Sequence, residues 1–160
     1  MHVLLTGRVQ VGKSTALNRF IKAHGLSADG YSTYWRDPDT LFIGPYGSSS
    51  PGRAAAVTAN FKRLPITETF DGYGAGLVRR SGKKQLIVFD ELGRLEIVSA
   101  AFTGAVLEKF DGSTPILGVI KPEHNRFLDA IRTKPNVAVI EVTVDNRDNL
   151  DAEIGKYLQF

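Results

Sequence analysis

Four short, nearly continuous apolar runs are the clearest pattern in the chain. They are Val3–Leu5, Leu86–Phe89, Ile116–Ile120 and Val137–Val142. Runs that are continuous rather than alternating are typical of strands covered on both faces, as in a parallel sheet with helices on either side. We therefore predict four buried strands at these positions.

Stretches with apolar residues at helical spacing separate or follow these runs. In Ser14–His24, the apolar positions Leu17, Phe20 and Ile21 lie at helical spacing, and Gly25 follows as a suitable helix end. Further helices are predicted at Ser99–Phe110, Pro122–Arg132 and approximately Arg147–Leu158. The alternation of strands and helices predicts an α/β fold: a mainly parallel sheet flanked by helices, with ligands at the carboxyl ends of the strands.

The segment from residue 29 to residue 64 departs from this alternation. Short β-like pieces at Tyr31–Trp35, Leu41–Ile43 and Ala54–Ala59 are separated by turn-rich sequence. We predict a β-hairpin or β-meander inserted into the α/β fold. The Gly/Ser/Pro-rich tract Gly44–Gly52 has two interpretations, a solvated connector or a lid that closes over a substrate.

Size and composition limit the classes of protein to consider. With 160 residues the chain has the length of one domain, and we predict a single domain over residues 1–160. No apolar run has the length of a membrane span, and the first residues lack the pattern of a signal peptide. The chain has no cysteine, which excludes disulfides and thiolate sites and fits a reducing compartment. We predict a cytoplasmic protein without a membrane partner.

The chain is mildly basic, with a formal net charge of +3 and a pI near 9.2. Its charges are dispersed, without a block of five or six like signs. A protein that binds phosphates also needs local positive charge, so this mild excess does not by itself indicate nucleic-acid binding, and we predict no nucleic-acid partner. The sequence does not indicate a particular protein partner.

The segment after the first apolar run carries the strongest chemical signal. Gly7–Ser14 fits G-x-x-x-x-G-K-[ST] at every defined position, after a predicted strand and at the start of a predicted helix. In such a P-loop, backbone N–H groups at glycine bends surround the β-phosphate at the positive end of a helix. A plain glycine turn with a surface lysine is the alternative, and the flanking elements count against it. The predicted nucleotide-binding residues are Gly7, Arg8, Val9, Gln10, Val11, Gly12, Lys13, Ser14 and Thr15.

Three residues of this loop have separate expected roles. Lys13 should reach the β- and γ-oxygens and act in catalysis, Ser14 should give its hydroxyl to Mg²⁺, and Thr15 should lie near the α-phosphate. Gln10 stands where many such loops have a further glycine. If the backbone there needs a positive φ, glutamine costs about 1 kcal/mol or more.

The second apolar run ends in two acids, Asp90 and Glu91, in the form of a Walker B segment. A neighbouring buried strand would carry Asp90 to the carboxyl edge of the sheet, where it can hold Mg²⁺ directly or through water. Glu91 would then face the γ-phosphate and accept a proton from an attacking water. The alternative, that both acids only cap the strand or form a turn, is weak beside an intact P-loop.

Three basic or amide residues are further candidates. Arg94 lies just after the acid pair, and we select it as the arginine that stabilises charge on the transferred phosphoryl group. Asn146 and Arg147 follow the last apolar run, where P-loop folds often place the base or ribose. Capping of the last helix is the alternative role for that segment.

Taken together, the P-loop, the segment Asp90–Glu96 and the segment Asn146–Asp148 resemble the small nucleoside-triphosphatase family known from thermophiles and as the cancer-related NTPase. The resemblance includes Gly30–Thr33 and covers about two thirds of the chain. It implies a RecA-like P-loop fold and slow, Mg²⁺-dependent hydrolysis of ATP, GTP and other nucleoside triphosphates.

The resemblance carries over five residues at matched positions. They are Lys13, Ser14, Asp90, Glu91 and, at the basic place of the family's D-E-x-G-[KR]-x-E segment, Arg94. The chain departs from the family after Thr33, where Arg36 leads into Asp37–Phe42 instead of further arginines and a Gly-Phe pair.

The sequence therefore predicts a Mg²⁺-dependent nucleoside-triphosphatase. Two alternatives stay open at this point. A nucleotide or small-molecule kinase would use residues 44–63 to hold an acceptor, and a switch module would bind nucleotide with almost no turnover.

Overall fold

The computed structural model describes residues 1–160 and contains one eight-stranded mixed sheet with helices on both faces. The strands are β1 His2–Thr6, β2 Ala28–Asp37, β3 Thr40–Pro45, β4 Arg53–Ala59, β5 Lys62–Pro65, β6 Leu86–Leu92, β7 Ile116–Ile120 and β8 Val137–Glu141. The α-helices are α1 Lys13–Ala23, α2 Ala75–Arg80, α3 Ala100–Phe110, α4 Arg126–Arg132 and α5 Leu150–Gly155. A π-helical turn, Thr69–Gly74, leads into α2, and a 3₁₀ turn, Leu95–Val98, precedes α3.

The sheet has a parallel part and an antiparallel part. Its strand order is β5-β4-β3-β2-β6-β7-β1-β8. The pairs from β2 through β6, β7 and β1 to β8 are parallel, and the pairs from β2 through β3 and β4 to β5 are antiparallel. The predicted α/β fold with an inserted meander is therefore confirmed.

The apolar core has two halves because successive strand residues point to opposite faces of the sheet. On β6, Ile87 and Phe89 belong to the half covered by α2, α3 and α4. Leu86 and Val88 belong to the half covered by α1 and α5. This burial on both faces explains why β6 is a continuous apolar run in the sequence.

Strand β2 extends past the carboxyl edge of the parallel sheet. It pairs with β6 only from Ala28 to Ser32, and its remaining residues pair with β3 alone. We call residues 33–65, which include β3, β4 and β5, the meander arm. The P-loop after β1 and the acids at the end of β6 lie at the same edge, so the meander arm stands beside them.

Two predicted helices have the wrong bounds. The helix predicted at Pro122–Arg132 begins only at Arg126, because the Asn125 side chain accepts a hydrogen bond from the Leu128 N–H at 2.8 Å and caps the helix there. The last helix is α5, shorter than predicted, because Thr143 and Asn146 first close a turn through reciprocal side-chain hydrogen bonds.

Other differences are smaller. The last strand ends at Glu141 rather than Val142, and the sequence analysis proposed no element for the π-helical turn and α2. None of the helices combines the length and apolar content needed to cross a membrane.

Candidate active site

The P-loop bends where its glycines stand. Gly7 has φ 131° and Gly12 has φ 105°, values that side chains rarely tolerate. A Cβ on Gly7 would lie 2.5 Å from the carbonyl oxygen of Val142, so the loop also needs glycine to pass close to the end of β8. Gln10 has φ 61°, which makes it a non-glycine residue in the left-handed region. The positive φ anticipated at this position is confirmed.

Lys13 is the first residue of α1, and only 8% of its surface is exposed. Its ammonium donates hydrogen bonds to the carbonyl oxygens of Gly7, at 2.9 Å, and Arg8, at 2.6 Å. Burial lowers the pKa of Lys13, while the negative charge of Glu91 opposes this shift. The positive charge therefore sits at the centre of the loop, opposite an acid.

Ser14 and Asp90 connect the P-loop to the end of β6. The Ser14 hydroxyl donates to Oδ1 of Asp90 at 2.9 Å. Burial raises the pKa of Asp90, and the hydrogen bond from Ser14 opposes the rise. Hydroxyl and carboxylate oxygens are hard donors, which fit a divalent cation such as Mg²⁺.

The chain offers no group of three or more His, Cys, Asp or Glu side chains that could hold a metal. A cation between Ser14 and Asp90 would therefore take its other ligands from phosphate and water. Mg²⁺ commonly binds in this way, with one or two protein ligands.

Glu91 is held by its neighbours on both sides. Oε1 of Glu91 lies 3.5 Å from the ammonium of Lys121, which follows β7. Tyr31 donates its hydroxyl to the backbone carbonyl of Glu91 at 3.3 Å, and Thr33 donates to that of Asp90 at 3.2 Å. Strand β2 thus fixes the backbone of the acid pair.

Glu96 is a buried acid to which the sequence analysis gave no role. It is 5% exposed, and its carboxylate accepts a hydrogen bond from the Gly93 N–H at 3.1 Å. Burial raises its pKa to about 7. The sequence signal that could have identified Glu96 is its position as the last acid of the D-E-x-G-[KR]-x-E segment. Because Glu96 holds the Gly93 turn, it fixes the start of the segment that carries Arg94.

A cavity of about 430 Å³ joins these parts. Nine of its lining residues were predicted from the sequence: Val9, Gln10, Gly12, Lys13, Ser14, Thr15, Asp90, Glu91 and Arg94. The lining also includes Glu96 and Lys121, and four residues of the meander arm, Thr33, Trp35, Leu41 and Arg63. Of these four residues, only Arg63 was connected with the site from the sequence, as part of the residues 44–63 that a kinase would use to hold an acceptor.

Some predicted site residues do not line the cavity. Three P-loop residues are part of the loop backbone but do not line the cavity: Gly7, Arg8 and Val11. Asn146 donates its side-chain amide to the carbonyl of Glu141 at 2.8 Å, so it has a structural role in its turn. The assignment of Asn146 and Arg147 to the base or ribose stays a prediction.

The Gly44–Gly52 tract contributes nothing to the cavity lining. It connects β3 to β4, and the Gly52 N–H donates to the Tyr34 hydroxyl at 3.1 Å. This position agrees with the connector interpretation, and the lid interpretation stays a prediction.

Comparisons with known proteins show the family and the fold of the chain. The chain is similar to nucleoside-triphosphatase THEP1 of Natranaerobius thermophilus, with 27% identity over 99% of this chain and 96% of the relative. It is similar to a cancer-related nucleoside-triphosphatase homolog of Bos taurus, with 29% identity and the same two coverages. The crystal structure of THEP1 from Aquifex aeolicus has the same fold, with a TM-score of 0.83, 21% identity and full coverage of both chains.

The family described as NTPase, NTPase_1, matches residues 53–155. This match spans well over half of the chain. It includes the acid pair Asp90 and Glu91, the turn at Gly93 and the turn closed by Thr143 and Asn146. The chain therefore belongs to the NTPase_1 family of nucleoside-triphosphate hydrolases.

Proposed function

We propose that this chain hydrolyses nucleoside triphosphates to diphosphates with Mg²⁺ held between Ser14 and Asp90. The observation that carries the proposal is the 2.9 Å contact between the Ser14 hydroxyl and the Asp90 carboxylate, beside the buried ammonium of Lys13. A P-loop serine and a strand-end aspartate hold the metal of P-loop NTPases in this arrangement.

The P-loop would bind the polyphosphate. Its backbone N–H groups and the first turn of α1 favour the β-phosphate, and Lys13 reaches from the loop centre to the β- and γ-oxygens. To do so, the ammonium exchanges its bonds to the carbonyls of Gly7 and Arg8 for phosphate oxygens. Thr15 lies next along the helix, where its hydroxyl can contact the α-phosphate.

Mg²⁺ bound here would neutralise charge on the β- and γ-oxygens. Glu91 would activate the attacking water. Its carboxylate orients a water and accepts its proton as the water oxygen bonds to the γ-phosphorus and the bond to the bridging oxygen breaks. The nearby Lys121 ammonium orients this carboxylate.

Arg94 lines the cavity without a salt-bridge partner in the chain. Its guanidinium is free to bind the oxygens of the transferred phosphoryl group, where charge develops in the transition state. Asn146 and Arg147 remain our candidates for contacts to the base or ribose of the substrate.

The test is phosphate release from a panel of nucleoside triphosphates with and without Mg²⁺, with Lys13→Ala as the blank. We expect Glu91→Gln to lower turnover by about 100-fold or more while nucleotide binding persists. Glu108→Gln, on the exposed face of α3, is the matched control and should hydrolyse normally. If Glu91→Gln turns over as fast as Glu108→Gln, the catalytic role of Glu91 is wrong.

A further inference from the structure

We propose that the meander-arm side of the cavity is an acceptor site, and that the chain transfers the γ-phosphoryl group from a nucleoside triphosphate to a nucleoside monophosphate. This inference rests on the proposed function for the position of the triphosphate and goes beyond it in naming a second substrate. Four cavity residues carry it: Thr33, Trp35, Leu41 and Arg63.

The position of these residues relative to the acid pair is the first step. Counting across the sheet from the P-loop strand β1, the order is β7, β6, β2 and β3. Asp90 and Glu91 are on β6, so Trp35 on β2 and Leu41 on β3 lie beyond the acids. In phosphoryl transfer the attacking and leaving oxygens are roughly in line with the phosphorus. The region beyond Glu91 is therefore on the side of the attacking group.

The chemistry of this wall suits a flat ring. Thr33 and Trp35 are two residues apart on β2, so their side chains lie on the same face of the strand. Leu41 pairs directly with Trp35 across the β2–β3 ladder. The indole of Trp35 remains 42% exposed. An aromatic side chain exposed beside a cavity offers a flat face on which a nucleobase can stack. An attacking water requires no such surface.

The charges of this wall suit an anion. The guanidinium carbon of Arg63 lies 4.5 Å from the centre of the Trp35 ring, and this cation–π contact holds the arginine against the cavity. Neither Arg63 nor Arg94 forms a salt bridge in the chain. Arg94 is assigned to the transferred phosphoryl group, so the acceptor side has Arg63 beside the indole of Trp35, and these two side chains match the phosphate and the base of one nucleoside monophosphate.

The transfer is balanced without any further reactant. A phosphate oxygen of the monophosphate bonds to the γ-phosphorus, and the bond from that phosphorus to the β–γ bridging oxygen breaks. The triphosphate leaves as a diphosphate, and the acceptor becomes a second diphosphate. Because the attacking oxygen is an anion, no proton needs to be removed. Hydrolysis is then the reaction that follows when water occupies the acceptor side.

The first experiment uses Trp35 as a reporter, since it is the only tryptophan in the chain. Wild-type protein with Mg²⁺ and inorganic tripolyphosphate is titrated with AMP, GMP, CMP, UMP and dTMP, and intrinsic fluorescence is followed. We expect saturable quenching by at least one monophosphate. A non-hydrolysable ATP analogue without acceptor should change the fluorescence no more than tripolyphosphate does. If the analogue alone quenches Trp35 as strongly, the wall binds the base of the substrate and the proposal is wrong.

The second experiment measures diphosphate formed from labelled monophosphate alongside phosphate released to water. We expect Trp35→Ala and Arg63→Ala each to lower the ratio of transfer to hydrolysis about tenfold or more. Trp35→Phe should restore most of the ratio. The matched control is Arg36→Ala, because Arg36 lies over Phe42 at 5.3 Å and does not line the cavity.

The two proposals fail in different ways. If no monophosphate is phosphorylated while free phosphate is still released, the acceptor site is wrong and the hydrolase stands. If no triphosphate is consumed with or without an acceptor, the proposed function itself is wrong. If Arg36→Ala lowers the ratio as much as Arg63→Ala, the loss is not specific to the wall and the assignment of Arg63 fails.

Discussion

Gln10 has a left-handed backbone in a loop where Gly7 and Gly12 have positive φ values without strain. For an L-residue this conformation costs roughly 1–2 kcal/mol, while glycine costs about 0.5–1 kcal/mol in the entropy of the unfolded chain. We therefore expect Gln10→Gly to raise the free energy of unfolding by about 0.5 kcal/mol, measured by urea unfolding.

Val9→Gly is the control for this prediction. Val9 is the exposed neighbour of Gln10, and its φ is not positive, so glycine there should only lower stability. Equal changes in the two variants would show that the backbone at Gln10 is not strained.

Glu96 makes the stability of the protein depend on pH. Its pKa is about 7 in the folded protein and 4.5 in the unfolded chain, so the folded state binds more protons between these values. The free energy of unfolding should therefore fall as pH rises from 4.5 to 7, by at most about 3 kcal/mol, and change no further above 7 from this group.

The variant Glu96→Gln lacks this titration but can still accept the Gly93 hydrogen bond. We expect its stability relative to wild type to increase with pH across the same window, measured by urea unfolding. Glu108→Gln, an exposed acid on α3, should show no such trend. A pH-independent difference for Glu96→Gln would mean that the Glu96 carboxyl titrates normally.

These residues also show what the sequence could predict at this scale. The P-loop and the acid pair are local patterns, and the structure brings Lys13, Ser14 and Asp90 together as expected. The burial of Glu96 depends on how the Gly93 turn packs against the rest of the fold, which a single sequence does not encode locally. Asn146 has the sequence of both a helix cap and a ligand, but the structure shows it bonded within the turn after β8, and α5 begins later, after Asn149, without a side-chain cap.

At the scale of the elements, Gly30 allows β2 to pair with β6. A Cβ on Gly30 would lie 2.0 Å from the carbonyl oxygen of Val88, and its φ is +124°. We expect Gly30→Ala to lower the free energy of unfolding by about 3 kcal/mol or more, since both the contact and the backbone are unfavourable.

A second glycine provides the control. Gly104 lies inside α3, and a Cβ there would meet nothing within 4 Å. Gly104→Ala should raise stability by about 0.5–1 kcal/mol in the same thermal and urea unfolding measurements. If both alanine variants have similar stability, the close approach of β2 and β6 does not need glycine.

Prediction of the elements succeeded where burial is two-sided. The apolar runs of β1, β6 and β7 were found because strands covered on both faces have no polar alternation. The run of β8 is also a strand, but the prediction that it is buried was wrong, because β8 lies at the edge of the sheet and Val139 is 39% exposed. Strand β2 was harder, since it begins in the parallel sheet and ends in the meander arm, so its pattern changes along its length. The start of α4 was wrong because Asn125, not Pro122, caps the helix.

At the scale of the whole molecule, the site lies where the two parts of the sheet meet. The P-loop and Lys121 follow parallel strands, while Trp35, Leu41 and Arg63 belong to the meander arm. The contact between Trp35 and Arg63 depends on the order of strands in the meander, which the spacing of apolar residues does not specify. For this reason the sequence predicted the residues of the phosphate half of the site, whereas it indicated the other half only as residues 44–63, in the kinase alternative.

A triphosphate bound across this junction would stabilise the fold, because the P-loop and the end of β6 form its site only in the native state. At 100 times its Kd, a non-hydrolysable ATP analogue with Mg²⁺ should stabilise the protein by about 2.7 kcal/mol, which corresponds to a rise in Tm of about 5–10 °C. Removal of Mg²⁺ by a chelator should reverse most of the rise, because Ser14 and Asp90 would no longer be joined through the metal to the phosphates.

Two lysines of α1 make the matched pair for this measurement. Lys13→Ala removes the buried ammonium and should abolish the rise in Tm, while Lys22→Ala changes an exposed residue in the last turn and should leave it intact. Since both variants lose one positive charge, a general electrostatic effect would reduce the rise equally. An equal rise in the two variants would mean that the nucleotide binds away from the P-loop.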